Sequence, residues 1–575
     1  MKCLLRCGFM LLALSTALLP GWLRAADEAV PPTDRLLPPD VSIYLSVPSV
    51  DDLKARFAQT SLGHLAEDSA FEPFRQEISK VVEKFAGEIE SHLGVALKDI
   101  ANIPSGEVAF ALLTPPGKKM SGVMFLDFGD NEKTVDSLLE KAEKALEENG
   151  ATSDDEEIDG AKITVWTLKD SGDAPKLVYF VKDSMLVATS DLDTAKAVLT
   201  RWDGKHSDTF ADNDNYNLVL EKCSNDDEDG LLVWYINPMG LVHATISQIA
   251  ATNPQVGLAA GFFEPMGINS IKGLGGSLDL ATEKFDGVSK TFLIIEQPTK
   301  GLLSVFHFPA IEQKPPTWVS SNTNAWFSLN WDIAGAYTAV ETMVDMFRGP
   351  GQFAEMIDQV AQQEGGPKVH LKKDVIDLVS GRIQVVMDSV KQKGEEEAED
   401  RVVVALDLKD AKKFQGTLSK ITKTPGFPGK TREFKGGTIY EFEVPDLSGS
   451  LEPKMAGLAI GKDQLLFSND VKAIETMLRG DTDGDALGES SAYKQIAEHF
   501  PSKMSMVSFS RSDTQMESLW EMAKNGQASL VFPDIDFSKL PDFEAIRKHL
   551  TPSGSYSVPD KKGVLFVSFN TKPKK

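Results

Sequence analysis

Segments of the first half of the chain recur, in the same order, in the second half. Residues 175–177 and 182–191 resemble 453–455 and 462–470, about 278 positions further on. Shorter matches keep nearly the same separation: 105–108 with 380–383, 123–127 with 403–407, and 276–278 with 554–556. Collinear matches over most of a chain are typical of internal duplication, which constrains the fold more than composition does.

The repeat predicts an α+β protein of two homologous tandem domains, each a mainly antiparallel sheet with helices packed on one face. The domains are expected at 40–312 and 313–575, joined near the proline pair of 312–317. The proline-rich stretch 26–39 is expected to be an extended segment before the first domain.

Local patterns place individual elements within the repeats. Helices are expected near 51–53, from about Glu132, over 191–199 and over 239–249, each after a strand. Residues 163–166 and 177–180 should form a hairpin-like pair of strands. In the second half, Asn469 or Asp470 is the expected N-cap of a helix.

The N-terminus has the pattern of a secretory signal peptide over 1–25. Lys2 and Arg6 precede the apolar stretch 8–23, and Ala25 ends an acceptable cleavage site. Export to the periplasm, the cell envelope or the medium is therefore expected, with a retained membrane anchor as the alternative. No later stretch reaches about 18 uninterrupted apolar residues, so no transmembrane segment is expected after cleavage.

The net charge bears on the class of binding partner, and the cysteine count bears on disulfide formation. The 575 residues include 60 basic and 85 acidic side chains, and a net charge of −25 disfavours nucleic acid as a partner. Two of the three cysteines lie in the signal peptide, so Cys223 remains without an intramolecular partner. Acidic neighbours at 226–228 should raise the pKa of its thiol and make it a weak nucleophile.

The two ends of the mature chain resemble a family of exported bacterial proteins with no assigned function. The resemblance rests on the Leu-Pro-Pro-Asp opening at 37–40, the following 44–48 and 53–57, and the closing segments 540–543 and 552–555. It implies export and duplicated α+β halves, and it brings no catalytic residues.

Motifs for chemistry are few. The sequence has no His-Glu-x-x-His, no Cys-x-x-Cys and no Gly-x-Ser-x-Gly, so zinc or serine-hydrolase chemistry has no support from motifs. Three acidic loops place oxygen ligands at alternate positions, as calcium loops do, although none has Glu at the twelfth position. Their candidate ligands are Asp155, Glu157 and Asp159; Asn225, Asp227 and Asp229; and Asp481, Asp483 and Asp485. Solvated surface turns are the favoured interpretation, and no other cofactor is expected.

These features favour a non-catalytic exported protein that binds another protein or forms a scaffold. One alternative is a carrier or chaperone for an apolar envelope molecule, held in a groove between sheet and helices or between the halves. The other is a hydrolase whose site is assembled from residues far apart in sequence.

Overall fold

The computed structural model describes residues 30–93, 103–168, 176–224, 230–250, 253, 261, 263–390, 399–427, 429–444, 454–480, 484–530 and 532–573. The signal peptide predicted at 1–25 lies outside these residues.

Within the described residues, twenty strands form one sheet, and every pair of neighbours is antiparallel. The strands of the first half are β1 (Val41–Val47), β2 (Val108–Leu113), β3 (Ser121–Asp127), β4 (Thr152–Ile158), β5 (Ala161–Thr167), β6 (Lys176–Lys182), β7 (Met185–Thr189), β8 (Leu232–Ile236), β9 (Ile271–Leu280) and β10 (Phe285–Ile295). Those of the second half are β11 (Ala325–Asn330), β12 (Val379–Val390), β13 (Glu399–Leu408), β14 (Lys430–Phe434), β15 (Gly437–Val444), β16 (Lys454–Gly461), β17 (Gln464–Ser468), β18 (Met506–Ser510), β19 (Ser553–Asp560) and β20 (Gly563–Thr571).

The two halves have the same strand order. The first runs β4-β5-β6-β7-β3-β2-β1-β8-β9-β10. The second runs β14-β15-β16-β17-β13-β12-β11-β18-β19-β20. The last strands, β10 and β20, pair with each other from Phe285–Thr571 to Ile294–Gly563. The mixed α+β class with an antiparallel sheet is confirmed, but the expected two separate sheets are one continuous sheet.

Helices accompany the strands along both halves. In the first half they are α1 (Thr33–Leu36), α2 (Val50–Phe57), α3 (Ser61–Glu67), α4 (Glu72–Leu93), α5 (Glu132–Glu148), α6 (Leu192–Leu199), α7 (Asp214–Cys223), α8 (Pro238–Ala250) and α9 (Phe263–Met266). In the second half they are α10 (Ile333–Arg348), α11 (Gln352–Gln362), α12 (Ala411–Thr422), α13 (Val471–Arg479), α14 (Ser491–Ala497), α15 (Ser512–Lys524) and α16 (Phe543–Arg547).

Consecutive residues of a strand point to opposite faces of the sheet, and in this protein helices pack on both faces. We call the side of Phe125 and Ala405 face A, and the side of Leu126 and Leu406 face B. On face A, α6 and α7 pack on the first half and α13 and α14 on the second. On face B, α5 packs against Leu126 and α12 against Leu406. The prediction of helices on one face only is therefore wrong.

Several local predictions are confirmed. The helix expected from Glu132 spans Glu132–Glu148 and buries Val135, Leu138 and Leu146. The helix expected over 191–199 spans Leu192–Leu199, and Asp191 is its cap, accepting hydrogen bonds from the amides of Asp193 and Thr194. In the second half the cap of α13 is Asp470, whose side chain accepts from the Lys472 amide. The expected hairpin is the pairing of β5 with β6.

The segment before the first strand departs from the expected extended form. Thr33–Leu36 is a helical turn, and Thr33, Leu36 and Leu37 are fully buried. Leu36 and Leu37 belong to the main core of the first half, because this turn covers the aromatic side chains below it. Among the described helices, none combines the length and apolarity needed to cross a bilayer.

Candidate functional site

The centre of face B carries two rows of side chains that cross the junction between the halves. In the first row, Phe327 of β11 stands opposite Ser508, and Ser555, Ser568 and Ser289 follow on β19, β20 and β10. Ser508 and Ser555 share a hydrogen bond of 2.6 Å between their hydroxyl oxygens. This serine row gives the sheet centre a line of hydrogen-bonding groups.

The second row lies beside the serine row and is mainly apolar. It passes from Met506 through Ser557, Phe566 and Thr291 to Gly276, and then to Trp234. Phe566 keeps 37% of its surface exposed. Large apolar side chains in the middle of a sheet are normally covered, so an uncovered one marks a contact surface.

A cavity of about 260 Å³ opens between the two rows, and we call it the central groove. Its wall is formed by Ser289, Thr291, Phe327, Met506, Val507, Ser555, Tyr556, Ser557, Phe566, Val567 and Ser568. All of these residues are uncharged at neutral pH. The Tyr556 side chain points to face A, where its ring contacts Phe500 and burial raises the pKa of its phenol. The volume is near the lower limit for small-molecule sites, so the groove suits a small ligand or one segment of a longer ligand.

Ser557 is the most informative residue of the groove. It is 1% exposed, and its hydroxyl has no hydrogen-bond partner among the described atoms. A buried hydroxyl without a partner costs about 1–3 kcal/mol. Because Ser557 stands between Met506 and Phe566, a ligand in the groove could supply the missing hydrogen bond.

Sequence reasoning missed the groove, although one signal was present. Alternate serines occur at 508 and 510 and at 553, 555 and 557. In strands, such alternation predicts one hydroxyl-lined face. What the sequence did not show was that β18 pairs with β19, β19 with β20, and β20 with β10.

A second cavity, of about 400 Å³, lies where β8 and β9 meet α8. It is lined by Asn215, Asn237, Met239, His243, Asn269, Ile271 and Lys272. The Lys272 ammonium is 3.1 Å from a Glu296 carboxylate oxygen, which offsets its charge. This largely polar wall offers a ligand little apolar surface to bury, so the central groove is the stronger site.

A cluster of titratable groups lies below α1, at Asp34, Glu107 and Tyr216. The Glu107 carboxylate accepts hydrogen bonds from the Thr33 amide at 3.1 Å, the Thr33 hydroxyl at 2.6 Å and the Ser46 hydroxyl at 2.7 Å. Burial and the nearby Glu107 charge raise the pKa of Asp34, which accepts from the Tyr216 hydroxyl at 3.3 Å. Because Glu107 is bound to Thr33 and Ser46, this cluster fastens α1 to the sheet.

The equivalent position in the second half has the opposite charge. Arg382 follows Ser-Gly as Glu107 does, and its guanidinium donates to the Ser328 hydroxyl at 3.3 Å and to the Lys314 carbonyl at 2.5 Å. Desolvation lowers the pKa of Arg382. In both halves the residue after Ser-Gly therefore fastens the segment before the first strand, and this points to a structural role.

The calcium candidates are only partly within the described residues. Asp155 and Glu157 lie on the exposed strand β4, and Asp159 is in the turn that follows. Asp155 already has the Lys162 ammonium at 3.0 Å and the Thr164 hydroxyl at 3.0 Å. Of the remaining six candidates only Asp485 is described; Asn225, Asp227, Asp229, Asp481 and Asp483 are outside the described residues. Within the described ranges, no three His, Cys, Asp or Glu side chains come together as a metal site.

Cys223 ends α7 inside the core, with 1% of its surface exposed. The pKa of its thiol is raised to about 12, as expected in direction, but the cause is burial rather than neighbouring carboxylates. The thiol is 4.0 Å from the Gly275 carbonyl oxygen.

Fold and groove together define a mixed α+β protein with one long antiparallel sheet and an uncharged groove at its centre. No family model matches the chain, and comparisons with curated proteins and with solved structures gave no match either.

Proposed function

We propose that this chain is an exported, non-catalytic binding protein that holds an amphiphilic molecule in the central groove. The observation that carries the proposal is the buried, unpartnered hydroxyl of Ser557 in an otherwise apolar part of the wall. Met506 and Phe566 would contact an apolar segment of the ligand, and Ser557 with the serine row would bind its hydroxyl, carbonyl or carboxylate group. Apolar walls with a few placed polar groups are typical of small-molecule sites.

The charge of the groove supports a binding role rather than a hydrolytic one. Hydrolysis needs a nucleophile with a base, or a pair of carboxylates, beside the bound substrate. The residues that line the groove supply hydroxyl groups only, whereas the carboxylates of Asp34 and Glu107 are engaged below α1. Binding without chemistry is what this set of side chains can perform.

The test is ligand binding by the full-length mature protein. Material recovered from its own envelope or secreted fraction should carry an amphiphile that native mass spectrometry detects as added mass. Met506→Trp fills the groove and should remove the added mass. Met387→Trp is the matched control, because Met387 is 45% exposed on β12 and does not line the cavity. Equal ligand content in both variants would overturn the proposal.

A second candidate function, protein binding, is favoured by the hairpin of α10 and α11. Met346, Phe347, Met356 and Val360 are each more than one-third exposed there, and the Arg348 guanidinium is 3.6 Å from the Met356 sulfur. An apolar surface of this kind is typical of a docking site for another protein. A Met356→Lys, Val360→Lys variant should lose a co-purifying partner that the Gln352→Lys, Gln359→Lys control retains. Retention by both variants would remove this candidate.

We also infer that the two halves arose by duplication. Three aromatic positions support this. In the first half the Tyr216 ring contacts those of Tyr44 and Tyr235, which are register partners on β1 and β8. In the second half the Tyr493 ring contacts those of Trp326 and Phe509, which are register partners on β11 and β18. The β10–β20 pairing also has two-fold character, because equivalent strands of the halves meet there. Superposition of the strands of one half on those of the other, in the order given above, tests this inference.

A further inference from the structure

The sheet ends in two edge strands, β4 and β14. Among the described strands, β4 pairs only with β5, and β14 pairs only with β15. They occupy the same place in the strand orders of the two halves. An edge strand presents backbone amides and carbonyls that can pair with another strand.

The two edge strands carry opposite charges. β4 contains Asp154, Asp155, Glu156 and Glu157, all exposed. β14 contains Lys430, Arg432 and Glu433; the two basic residues point to face A and Glu433 points to face B. On α13 the Arg479 guanidinium lies 5.6 Å from the Phe434 ring. Pairing β4 with β4, or β14 with β14, would place like charges opposite each other, whereas pairing β4 with β14 places unlike charges together.

The direction of the strands permits that pairing between two copies. All twenty strands alternate in direction, so the strand at one end of the order runs opposite to the strand at the other end. If a second copy is placed beside the first by translation, its β4 is antiparallel to the first copy's β14. The sheet then continues with the same alternation.

The faces also agree. Asp154 and Glu156 stand beside Val165 and Ile163, which are buried on face A. Arg432 stands beside Ile439, which is also buried on face A. When β14 of one copy pairs with β4 of the other, Arg432 lies opposite Asp154 and Lys430 lies opposite Glu156.

Ion pairs within the chain already orient these side chains. The Glu156 carboxylate is 2.8 Å from the Lys196 ammonium on α6. Arg432 contacts Glu441 and Glu475, yet its side chain remains 37% exposed. The charged ends therefore stand at the two edges in fixed positions and remain accessible to a neighbour.

We propose that a second copy of this chain binds head to tail by antiparallel pairing of β4 with β14. The contact uses different surfaces on the two copies, so it leaves an edge free at each end and extends the sheet into linear oligomers. This assembly is independent of ligand binding in the central groove.

Sedimentation velocity of the full chain at increasing concentration tests the proposal. Dimers and longer species should form at low salt and decrease at high salt, because the contact is electrostatic. The double variant Asp154→Lys, Glu156→Lys should sediment only as a monomer. The control variant Glu140→Lys, Glu147→Lys, which is changed on the exposed side of α5, should assemble like the wild type. A wild type that is monomeric at every concentration overturns the proposal, and so does equal assembly of the two variants.

If the Asp154→Lys, Glu156→Lys variant does not fold, charge exchange between the two edges and cross-linking still test the pairing. A chain with Asp154→Lys, Glu156→Lys, Lys430→Glu and Arg432→Glu should regain assembly, since both edges are inverted. Ser153→Cys with Glu433→Cys should give a ladder of disulfide-linked multimers under oxidation, because the native Cys223 is buried. The expected result is a ladder from the double variant and monomers from each single one; monomers from all three contradict the pairing.

Discussion

Removing the Glu107 carboxylate should release α1 from the sheet. In Glu107→Ala, the Thr33 amide and the Ser46 hydroxyl lose their acceptor, while the Thr33 hydroxyl keeps the Tyr44 hydroxyl at 2.8 Å. Thr33 and Ser46 are 0% and 3% exposed, so solvent does not replace the lost bonds. Two buried groups at about 1–3 kcal/mol each give about 2–6 kcal/mol, and relief of the repulsion with Asp34 lowers the net to about 3 kcal/mol.

Hydrogen exchange over residues 30–47 measures this local opening. A loss of about 3 kcal/mol corresponds to a roughly 100-fold decrease in the protection of these amides. Glu107→Gln keeps an acceptor oxygen and should decrease protection by roughly 10-fold, whereas Glu140→Ala on the exposed side of α5 is the control. Protection within about threefold of the wild type in Glu107→Ala would refute the reasoning, because the segment would then be held by Leu36 and Leu37 alone.

Three further predictions concern titratable groups. Burial raises the pKa of Asp34, so its ionisation costs stability above the unfolded pKa of 3.8; Asp34→Asn should raise the melting temperature at pH 7 and lose this advantage near pH 3. A hydrogen bond from Lys548 lowers the pKa of Asp68, and the amide of Ala70 and His549 act in the same direction; this stabilisation is present above pH 3.8 and is lost as the pH falls through the folded value. Asp68→Asn should therefore lower the melting temperature at pH 7, and its curve should approach that of the wild type in acid; a constant difference at all pH values would contradict the assignment. Cys223, with its pKa near 12, should resist a thiol reagent at pH 8 and react after urea unfolding; rapid labelling of the native protein would show that the thiol is accessible.

Sequence patterns predicted the elements that depend on near neighbours. The helix Glu132–Glu148 was evident because Val135, Leu138 and Leu146 recur at helical spacing and bury one face. The cap Asp470 was recognisable because a cap binds amides only two or three residues away. The turn at Thr33–Leu36 was missed, because its stability comes from Glu107, 74 positions further along the chain.

For the candidate site, the sequence supplied the residues but not their arrangement. Alternate serines at 553, 555 and 557 predict a hydroxyl-lined strand face. Ser557 is a candidate binding residue only because Met506 and Phe566 lie beside it on the neighbouring strands. Residues 154–157 form an acidic run in the sequence, whereas Lys430 and Arg432 are two basic residues separated by Thr431. Their position at opposite ends of one sheet was not evident from the sequence.

Local sequence patterns were thus sufficient to predict the helix Glu132–Glu148, the cap Asp470 and the pairing of β5 with β6. The pairing of β10 with β20, the helices on both faces and the groove at the centre became evident from the folded chain alone. The physical reason is that helical and strand periodicity is recorded in residues close together in the chain. Strand pairing, in contrast, is made by backbone hydrogen bonds that every residue except proline can form, so the choice of neighbour depends on packing between residues far apart.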